Sequence, residues 1–266
     1  MNVYLHELKT YLKSALIWSI SLAFFGVVIC AVIFPAFHND MQAVNDILAN
    51  YPPEALSAMG VGPEGISSFP GFYAFCFIYV LLCGAIQALI LGAGIVGKEG
   101  ARKTSDFLFS KPLSRTGILT GKYLASVTCL FITSLIYCAA VYFSAAAVIE
   151  ELNVSVVWMM NASLFVVQLL FVSIGFAIAC FVTKLKSPNT VGIGLGALFF
   201  GLQMLANMYP EDLLIRLISP MGYLLPNYIA QHHTYEWPLF AVSLALTAVL
   251  TVLGYVRFNT KDIHSA

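Results

Sequence analysis

The residues whose spacing comes closest to a chemical motif are the glycines and the lysine of the stretch GAGIVGKEG, residues 92–100. Gly92, Gly97 and Lys98 have the spacing of a phosphate-binding P-loop, in which backbone amides and a lysine hold the phosphates of ATP. Glu99, however, stands where that motif needs a Ser or Thr hydroxyl to bind magnesium. The glycines also end an apolar run instead of following a β-strand. We therefore do not expect this stretch to bind ATP.

Two other groups of polar residues could bind a metal ion or cut a peptide bond. His232, His233 and Glu236 are potential metal ligands, but adjacent side chains diverge on a regular element. We interpret them as polar residues at a membrane interface, because aromatic residues surround them. Glu150 and Glu151 resemble the paired glutamates of membrane-embedded prenyl-protein proteases, although no Arg follows at a suitable spacing. An intramembrane protease is therefore an unfavoured alternative.

The elements that carry these residues are apolar runs long enough to cross a bilayer. Of the 266 residues, 60% are hydrophobic and 10% are charged, whereas soluble domains carry about 25% charged residues. Six runs without Asp, Glu, Lys, Arg or His reach the roughly 17 to 25 residues that a transmembrane helix needs. The six cysteines all lie inside these runs and form no CxxC pair, so we interpret them as packing residues. We predict an all-α integral membrane protein with six transmembrane helices at residues 14–37, 72–96, 123–148, 162–183, 191–208 and 238–256.

The basic residues predict the orientation of these helices, because Lys and Arg near helix ends stay on the cytoplasmic side. With both termini inside, only Arg216 of the thirteen basic residues lies outside. The first run is too long for the apolar part of a signal peptide, which spans about 7 to 15 residues, so we interpret it as a permanent helix. We predict a multi-pass protein of the plasma (inner) membrane with both termini in the cytoplasm.

The predicted cytoplasmic loop at residues 97–122 reads GKEGARKTSDFLFSKPLSRTGILTGK. It has a helix-like part over about residues 99–109 and a break at Pro112. Phe107, Leu108 and Phe109 form an apolar cluster among charged residues, which suits docking into a groove on a protein partner. A basic loop that only contacts anionic lipid headgroups is the alternative.

The order of residues in this loop resembles that of the membrane subunits of type-2 ABC exporters. It has a Glu, a Thr, an apolar cluster, the pattern Ser-x-Pro-x-Ser-Arg and finally Gly121-Lys122, although Lys103 stands where the family has Gly. The resemblance implies a coupling helix that sits in a cleft of a cytoplasmic ATPase. The coupling residues that it implies are Glu99, Thr104, Phe107, Leu108, Phe109, Pro112, Ser114 and Arg115.

The same resemblance implies the partners and the activity. ATP and magnesium would bind to the partner ATPase, so the chain itself would be neither an enzyme nor a cofactor-binding protein. Two permease copies, identical or different, would form the transporter, in contact with membrane lipid and not with nucleic acid. The expected function is outward movement of a cargo by alternating access. Because the runs contain no ionisable residue of an ion or proton path, we expect a lipid-like, peptide or antibiotic cargo. An ABC-type assembly that relays ATPase motion to sensing or motility, without export, is the alternative.

Three segments outside the runs also have predicted structures. In residues 1–13, apolar residues follow one helical face and charged residues, including Glu7, follow the other, which predicts an interfacial elbow helix as in the family. A plain extension of the first membrane helix is the alternative. Residues 209–237 resemble the outer re-entrant helices of these exporters, with a break at Ser219-Pro220. The extracellular segment 38–71 is either a small folded cap or a flexible segment.

The runs themselves contain few polar groups that could contact cargo. Gln87, Gln168 and Gln203 are the candidates for lining a route, although glutamines also form hydrogen bonds between helices. Gly192 and Gly196 have the spacing of a helix-packing pair, either at the seam of a permease dimer or within one subunit.

Overall fold

The computed structural model describes residues 2–62, 65–102, 114–182, 185, 187–209 and 212–260, with side chains left undescribed at 98–102. Helices dominate these residues, and none of them forms a strand. Six helices are long and apolar enough to cross a membrane, which confirms the predicted fold class. Inner and outer denote the cytoplasmic and external ends that the charge pattern predicts.

The first membrane helix consists of α1, a π-helical segment and α2, and short helices lie between the later membrane helices. In chain order the elements are α1 (Val3–Val28), the π-helical segment (Ile29–Ile33), α2 (Phe34–Asn39), α3 (Met41–Leu48), α4 (Pro53–Met59), α5 (Phe69–Arg102), α6 (Arg115–Val148), α7 (Val154–Phe181), α8 (Pro188–Met208), α9 (Leu213–Ile218), a 3₁₀ turn (Pro220–Leu224), α10 (Pro226–His232) and α11 (Trp237–Thr260).

Both helices that flank the cytoplasmic loop are longer at their inner ends than the apolar runs. The helix α5 continues to Arg102, past the predicted end at residue 96, and α6 begins at Arg115 instead of residue 123. An apolar run ends at the first charge, whereas a helix continues until its backbone is capped. Ser114 supplies that cap for α6, because its hydroxyl accepts a hydrogen bond from the Gly117 amide at 3.1 Å.

The N-terminal residues differ from the predicted separate elbow helix. The helix α1 runs without a break from Val3 to Val28, so residues 3–13 extend the first membrane helix. Glu7, expected on the polar face, is only 3% exposed, because it lies on the same helical face as Tyr4 and Tyr11, each about one turn away. The position of these residues relative to a headgroup layer stays a prediction.

The helices α5 and α7 form the centre of the bundle and approach each other closely. A Cβ atom on Gly92 would lie 2.3 Å from the Val172 carbonyl oxygen, and one on Gly175 would lie 2.6 Å from that of Leu89. Only glycine permits such contact between backbones. The first glycine of the P-loop-like stretch therefore serves helix packing. Around this pair, α1 packs on α6, α8 on α5, and α11 on α7.

The outer segments are folded and contact one another. Gly60 ends α4 with a φ of +95°, and its carbonyl accepts a hydrogen bond from the Asn227 side chain at 2.9 Å. The helix α4 also packs against α8. In the second outer segment, α9 ends at Ser219, where the sequence predicts a break. Whether these helices re-enter a membrane stays a prediction.

The π-helical segment widens the first membrane helix near its outer end. Just before it, Gly26 lies so close to α6 that a Cβ atom would be 2.6 Å from Val141. Just after it, the Phe34 ring contacts Phe69 and Phe72, with ring centroids 5.1 and 5.4 Å away. The segment therefore lies between two well-packed contacts.

Candidate functional site

The structure describes the two ends of the predicted coupling segment. Glu99 lies within α5, and Ser114 caps α6. Arg115 reaches across to α11, where its guanidinium donates a hydrogen bond to the Asn259 carbonyl at 3.4 Å. The other predicted coupling residues lie outside the described residues: Thr104, Phe107, Leu108, Phe109 and Pro112.

Beside these ends, a buried charge contact joins three helices. Lys122 of α6 is 1% exposed, and its Nζ lies 3.4 Å from Oε1 of Glu7 in α1. The same Nζ donates a hydrogen bond to the Ile95 carbonyl of α5 at 2.7 Å. Burying a charge without a partner would be strongly unfavourable, so this contact offsets part of the cost of burying both side chains.

A second polar contact lies in the middle of the bundle and includes two of the three predicted glutamines. The Gln168 amide donates to the Gln87 side-chain oxygen at 3.0 Å, and Gln87 donates to the Thr133 hydroxyl at 2.9 Å. Ser134 donates to Gln168 at 2.8 Å, and Ser19 donates to Thr133 at 3.0 Å. All five side chains are buried, so within one chain these glutamines bond to helices and not to an open route.

Gln203 lies apart from the other two glutamines, towards the outer end of α8. It is 2% exposed, accepts a hydrogen bond from Ser219 at 2.9 Å and donates to Asn207 at 2.8 Å. A Cβ atom on Gly222 would lie 2.6 Å from its side-chain oxygen. Gln203 thus holds the start of the 3₁₀ turn against α8.

The third polar contact, towards the outer end of the bundle, was not predicted from the sequence. The Tyr73 hydroxyl donates to the Asn161 side-chain oxygen at 2.6 Å and lies 2.9 Å from the Tyr137 hydroxyl. All three side chains are buried, and within the described residues the Asn161 amide nitrogen has no hydrogen-bond partner. Asn161 directly precedes a predicted run. Asking which polar residue begins an apolar run would have drawn attention to it.

The polar residues near the outer interface bond to partners other than a metal. Arg216, the one basic residue predicted outside, forms an ion pair with Glu236. His232 stacks on Tyr228 with ring centroids 4.2 Å apart. The Tyr235 hydroxyl donates to the Met159 carbonyl at 2.8 Å, and burial raises the pKa of Tyr235 to about 12. No group of three potential metal ligands occurs in the described parts of the chain.

The predicted glycine pair packs within one subunit. Cβ atoms on Gly192 and Gly196 would each lie 2.4 Å from an isoleucine of α5, Ile90 and Ile86 respectively. A second copy therefore cannot approach these two positions without displacing α5. Gly194, on the other face of α8, has no atom within 4 Å of its Cβ position.

The polar contacts thus lie at three depths between the pair α1 and α6 and the pair α5 and α7, and the only charged contact of the three is at the inner end. The family model described as ABC-2 family transporter protein matches residues 1–263. That match includes all six membrane helices and the loop between α5 and α6. No curated protein matches the chain.

Proposed function

Because the chain belongs to the ABC-2 family of transporter proteins, we propose that it exports a lipid-like, peptide or antibiotic cargo with energy from a separate ATPase. Membership itself makes the chain a membrane permease subunit of an ABC transporter. The observation that carries the proposal further is the loop between α5 and α6, whose motif resembles that of type-2 exporters. Export direction and cargo class follow from that resemblance and from the chemistry of the bundle.

In this proposal a cytoplasmic ATPase binds ATP and magnesium and moves the coupling residues at 99–115. Two permease copies, identical or different, complete the transporter. The helices α5 and α6 continue beyond the apolar runs on both sides of the loop, so movement of the loop reaches the bundle through two rigid helices. Alternating access then follows from movement of the helices relative to one another.

The polar groups in the membrane part of the chain favour one class of cargo. Paths for ions or protons usually contain ionisable side chains within the membrane. The predicted runs contain none, and the buried contact in the middle of the bundle consists of amides and hydroxyls. Gln87, Gln168 and Gln203 are proposed to face the route only after the helices separate, because each bonds within the closed bundle. An amphipathic or lipid-like cargo fits this chemistry better than sodium or protons.

Neither alternative function has a structural observation in its favour. Glu150 and Glu151 are exposed in the turn between α6 and α7. They therefore lie outside the bundle, whereas an intramembrane protease would need them within it. A relay to sensing or motility would use the same loop and the same ATPase. Cargo-stimulated ATP hydrolysis by the reconstituted complex distinguishes export from such a relay.

The first experiment tests the ATPase partner. The chain, tagged at its C-terminus, is purified from its native membrane in mild detergent, and copurifying proteins are identified by mass spectrometry. We expect a soluble ATPase that is lost from Phe107→Asp with Leu108→Asp, because two carboxylates would oppose docking of the apolar cluster. Recovery of the folded chain alone would contradict the proposal.

The matched control adds the same charge without removing apolar side chains. Ser105→Asp with Thr116→Asp serves this purpose, since Thr116 is exposed in the first turn of α6, where an acidic residue is favourable. The ATPase should stay bound to this variant. Loss of the ATPase from both variants would show that charge alone weakens binding and that the apolar cluster is not the docking element.

A further inference from the structure

Glu7 and Lys122 are unusual because, among the described residues, they are the only charged side chains that are fully buried. Replacing a buried ion pair by apolar residues of similar size is often neutral or stabilising. Stability alone therefore explains this pair poorly. A buried ion pair does fix the relative position of the elements that carry it, because its energy depends steeply on distance and geometry.

The position of the pair suggests which movement it fixes. Lys122 lies about two turns inside the start of α6, and Ile95 lies about two turns before the end of α5. Lys122 therefore joins the two helices at the depth where the cytoplasmic loop leaves the bundle. Glu7 adds the inner end of α1, which is separated from that loop in sequence by the outer segment and α5.

The packing of the helices makes this contact a bridge between two parts of the bundle. The helix α1 packs chiefly on α6, whereas α5 packs chiefly on α7 and α8. Among the described residues, the polar contacts across this boundary in the middle and outer parts of the bundle are neutral hydrogen bonds, such as those of Gln87 with Thr133 and of Tyr73 with Tyr137. At the inner end, the charged Lys122 ammonium contacts the Ile95 carbonyl of α5 and the Glu7 carboxylate of α1.

We propose that Lys122, held between Glu7 and the Ile95 carbonyl, is the joint that transmits movement of the inner ends of α5 and α6 to α1. This inference rests on the proposed function, in which an ATPase moves the loop. Lys122 and Glu7 are positioning residues: neither contacts cargo or nucleotide. Without the joint, α5 and α6 still respond to the ATPase, but α1 follows α6 only through its remaining packing contacts and responds less.

The test uses the complex of the chain with its copurifying ATPase in lipid nanodiscs. Backbone hydrogen exchange is measured by mass spectrometry for the inner ends of α1, α5 and α6, without nucleotide and after trapping with Mg-ATP and vanadate. In the unmodified complex we expect exchange at all three ends to change by about tenfold on trapping, a measurable change in local opening. In Glu7→Leu with Lys122→Met, we expect the change to persist in α5 and α6 and to fall well below that of the unmodified complex in α1.

Three other variants separate the joint from general effects of charge and stability. Glu7→Gln keeps an acceptor for Lys122 without the charge. Its α1 response should lie between that of the unmodified complex and that of Glu7→Leu with Lys122→Met. Lys9→Met with Lys13→Met removes exposed charges from the same helix and should respond as the unmodified complex does. Arg216→Met with Glu236→Leu removes the outer ion pair and should also leave the response of α1 unchanged.

Two outcomes would contradict the joint and leave the proposed function standing. In the first, α1 responds in Glu7→Leu with Lys122→Met as strongly as in the unmodified complex. In the second, α5 and α6 of the unmodified complex respond to trapping but α1 does not. If no ATPase copurifies, or if none of the three helix ends responds to nucleotide, the proposed function is wrong and the joint is wrong with it.

Discussion

Gln87 and Gln168 lie in the middle of the bundle, where no water replaces a lost hydrogen bond. Each amide oxygen and nitrogen that takes part in the contact has a partner on a neighbouring helix. Removing Gln168 therefore leaves groups on two other helices without the partner they have here. The contact thus links the stability of four helices to a few polar atoms.

Gln168→Leu tests this contact at the scale of single residues. It leaves the Gln87 oxygen and the Ser134 hydroxyl without their partner, so we expect the free energy of unfolding to fall by about 1 to 2 kcal/mol. Thermal unfolding of the purified chain in detergent measures the change. Gln42→Leu, at an exposed position, is the control and should change stability by less than about 0.5 kcal/mol.

Gln168→Leu also tests whether Gln168 contacts the cargo. Normal export by Gln168→Leu, once a cargo is known, would remove Gln168 from the candidates for lining the route. Unchanged stability together with lost export would instead contradict the structural role and support contact with cargo.

Residue types indicate which polar side chains form contacts between helices, but the partners in those contacts depend on how each helix is rotated about its axis. Long polar side chains in apolar runs drew attention to the glutamines, whereas tyrosines counted as apolar and Asn161 fell just outside a run. Glu7 was assigned to the polar face from its charge, although its helical spacing from Tyr4 and Tyr11 gives it the same face as those two residues. Its partner Lys122 is more than a hundred residues away in sequence, at a distance that no local pattern can connect.

At the scale of helices, the closest contact in the bundle is that of α5 with α7, where glycines bring the backbones together. In a lipid environment such packing replaces much of the hydrophobic driving force of a soluble core. The helix α8 has glycines on both faces, and only those at 192 and 196 pack against α5. Replacing glycine by alanine can therefore lower the free energy of unfolding at one position of a membrane helix and leave it unchanged at another.

Gly175→Ala and Gly194→Ala form a matched pair that tests this difference. A methyl group at Gly175 would clash with backbone atoms of α5, so we expect a loss of about 1 to 3 kcal/mol in the free energy of unfolding. Gly194 has open space at its Cβ position, so alanine should be neutral or stabilising by up to about 1 kcal/mol. Equal melting temperatures of the two purified variants would contradict the close approach of α5 and α7.

The six membrane helices were predictable because each has an apolar run of sufficient length, but their ends were not. A run defined by absent charges stops at residue 96, whereas α5 continues through Lys98 and Arg102 to the end of its described part. The fourth membrane helix begins at Val154, well before the predicted residue 162, because Asn153 caps it by accepting a hydrogen bond from the Val156 amide. At the start of the fourth membrane helix, the cap and not the first charge sets the boundary.

At the scale of the whole molecule, the chain has an ion pair near each end of the bundle. Glu7 and Lys122 pair at the inner end, and Arg216 pairs with Glu236 at the outer end. The predicted membership of the ABC-2 permease family, first visible in one loop, is confirmed by the family match over residues 1–263, whereas export stays a proposal. The partner ATPase and the second permease copy were inferred from that resemblance and stay proposals.

The predicted orientation has a direct test in intact cells. A cysteine introduced by Asn50→Cys, in the exposed outer segment, should react with a membrane-impermeant maleimide added outside. A cysteine introduced by Thr260→Cys, exposed at the end of α11, should react only after the cells are lysed. The unmodified chain, whose cysteines all lie within membrane helices, gives the background. The reverse pattern of labelling would contradict the positive-inside interpretation.

The π-helical segment of the first membrane helix has a consequence for insertions and deletions. A π-helical turn accommodates one more residue than a regular turn, so deleting one residue between Ile29 and Ile33 would turn the segment into regular helix. Each residue of a regular helix turns the chain by about 100°. Unlike a deletion in the middle of an ordinary helix, which turns all later residues by that angle, this one would restore a regular turn and leave Phe34 facing Phe69 and Phe72. The first membrane helix can therefore lose one residue in this segment and keep the contacts of its outer end.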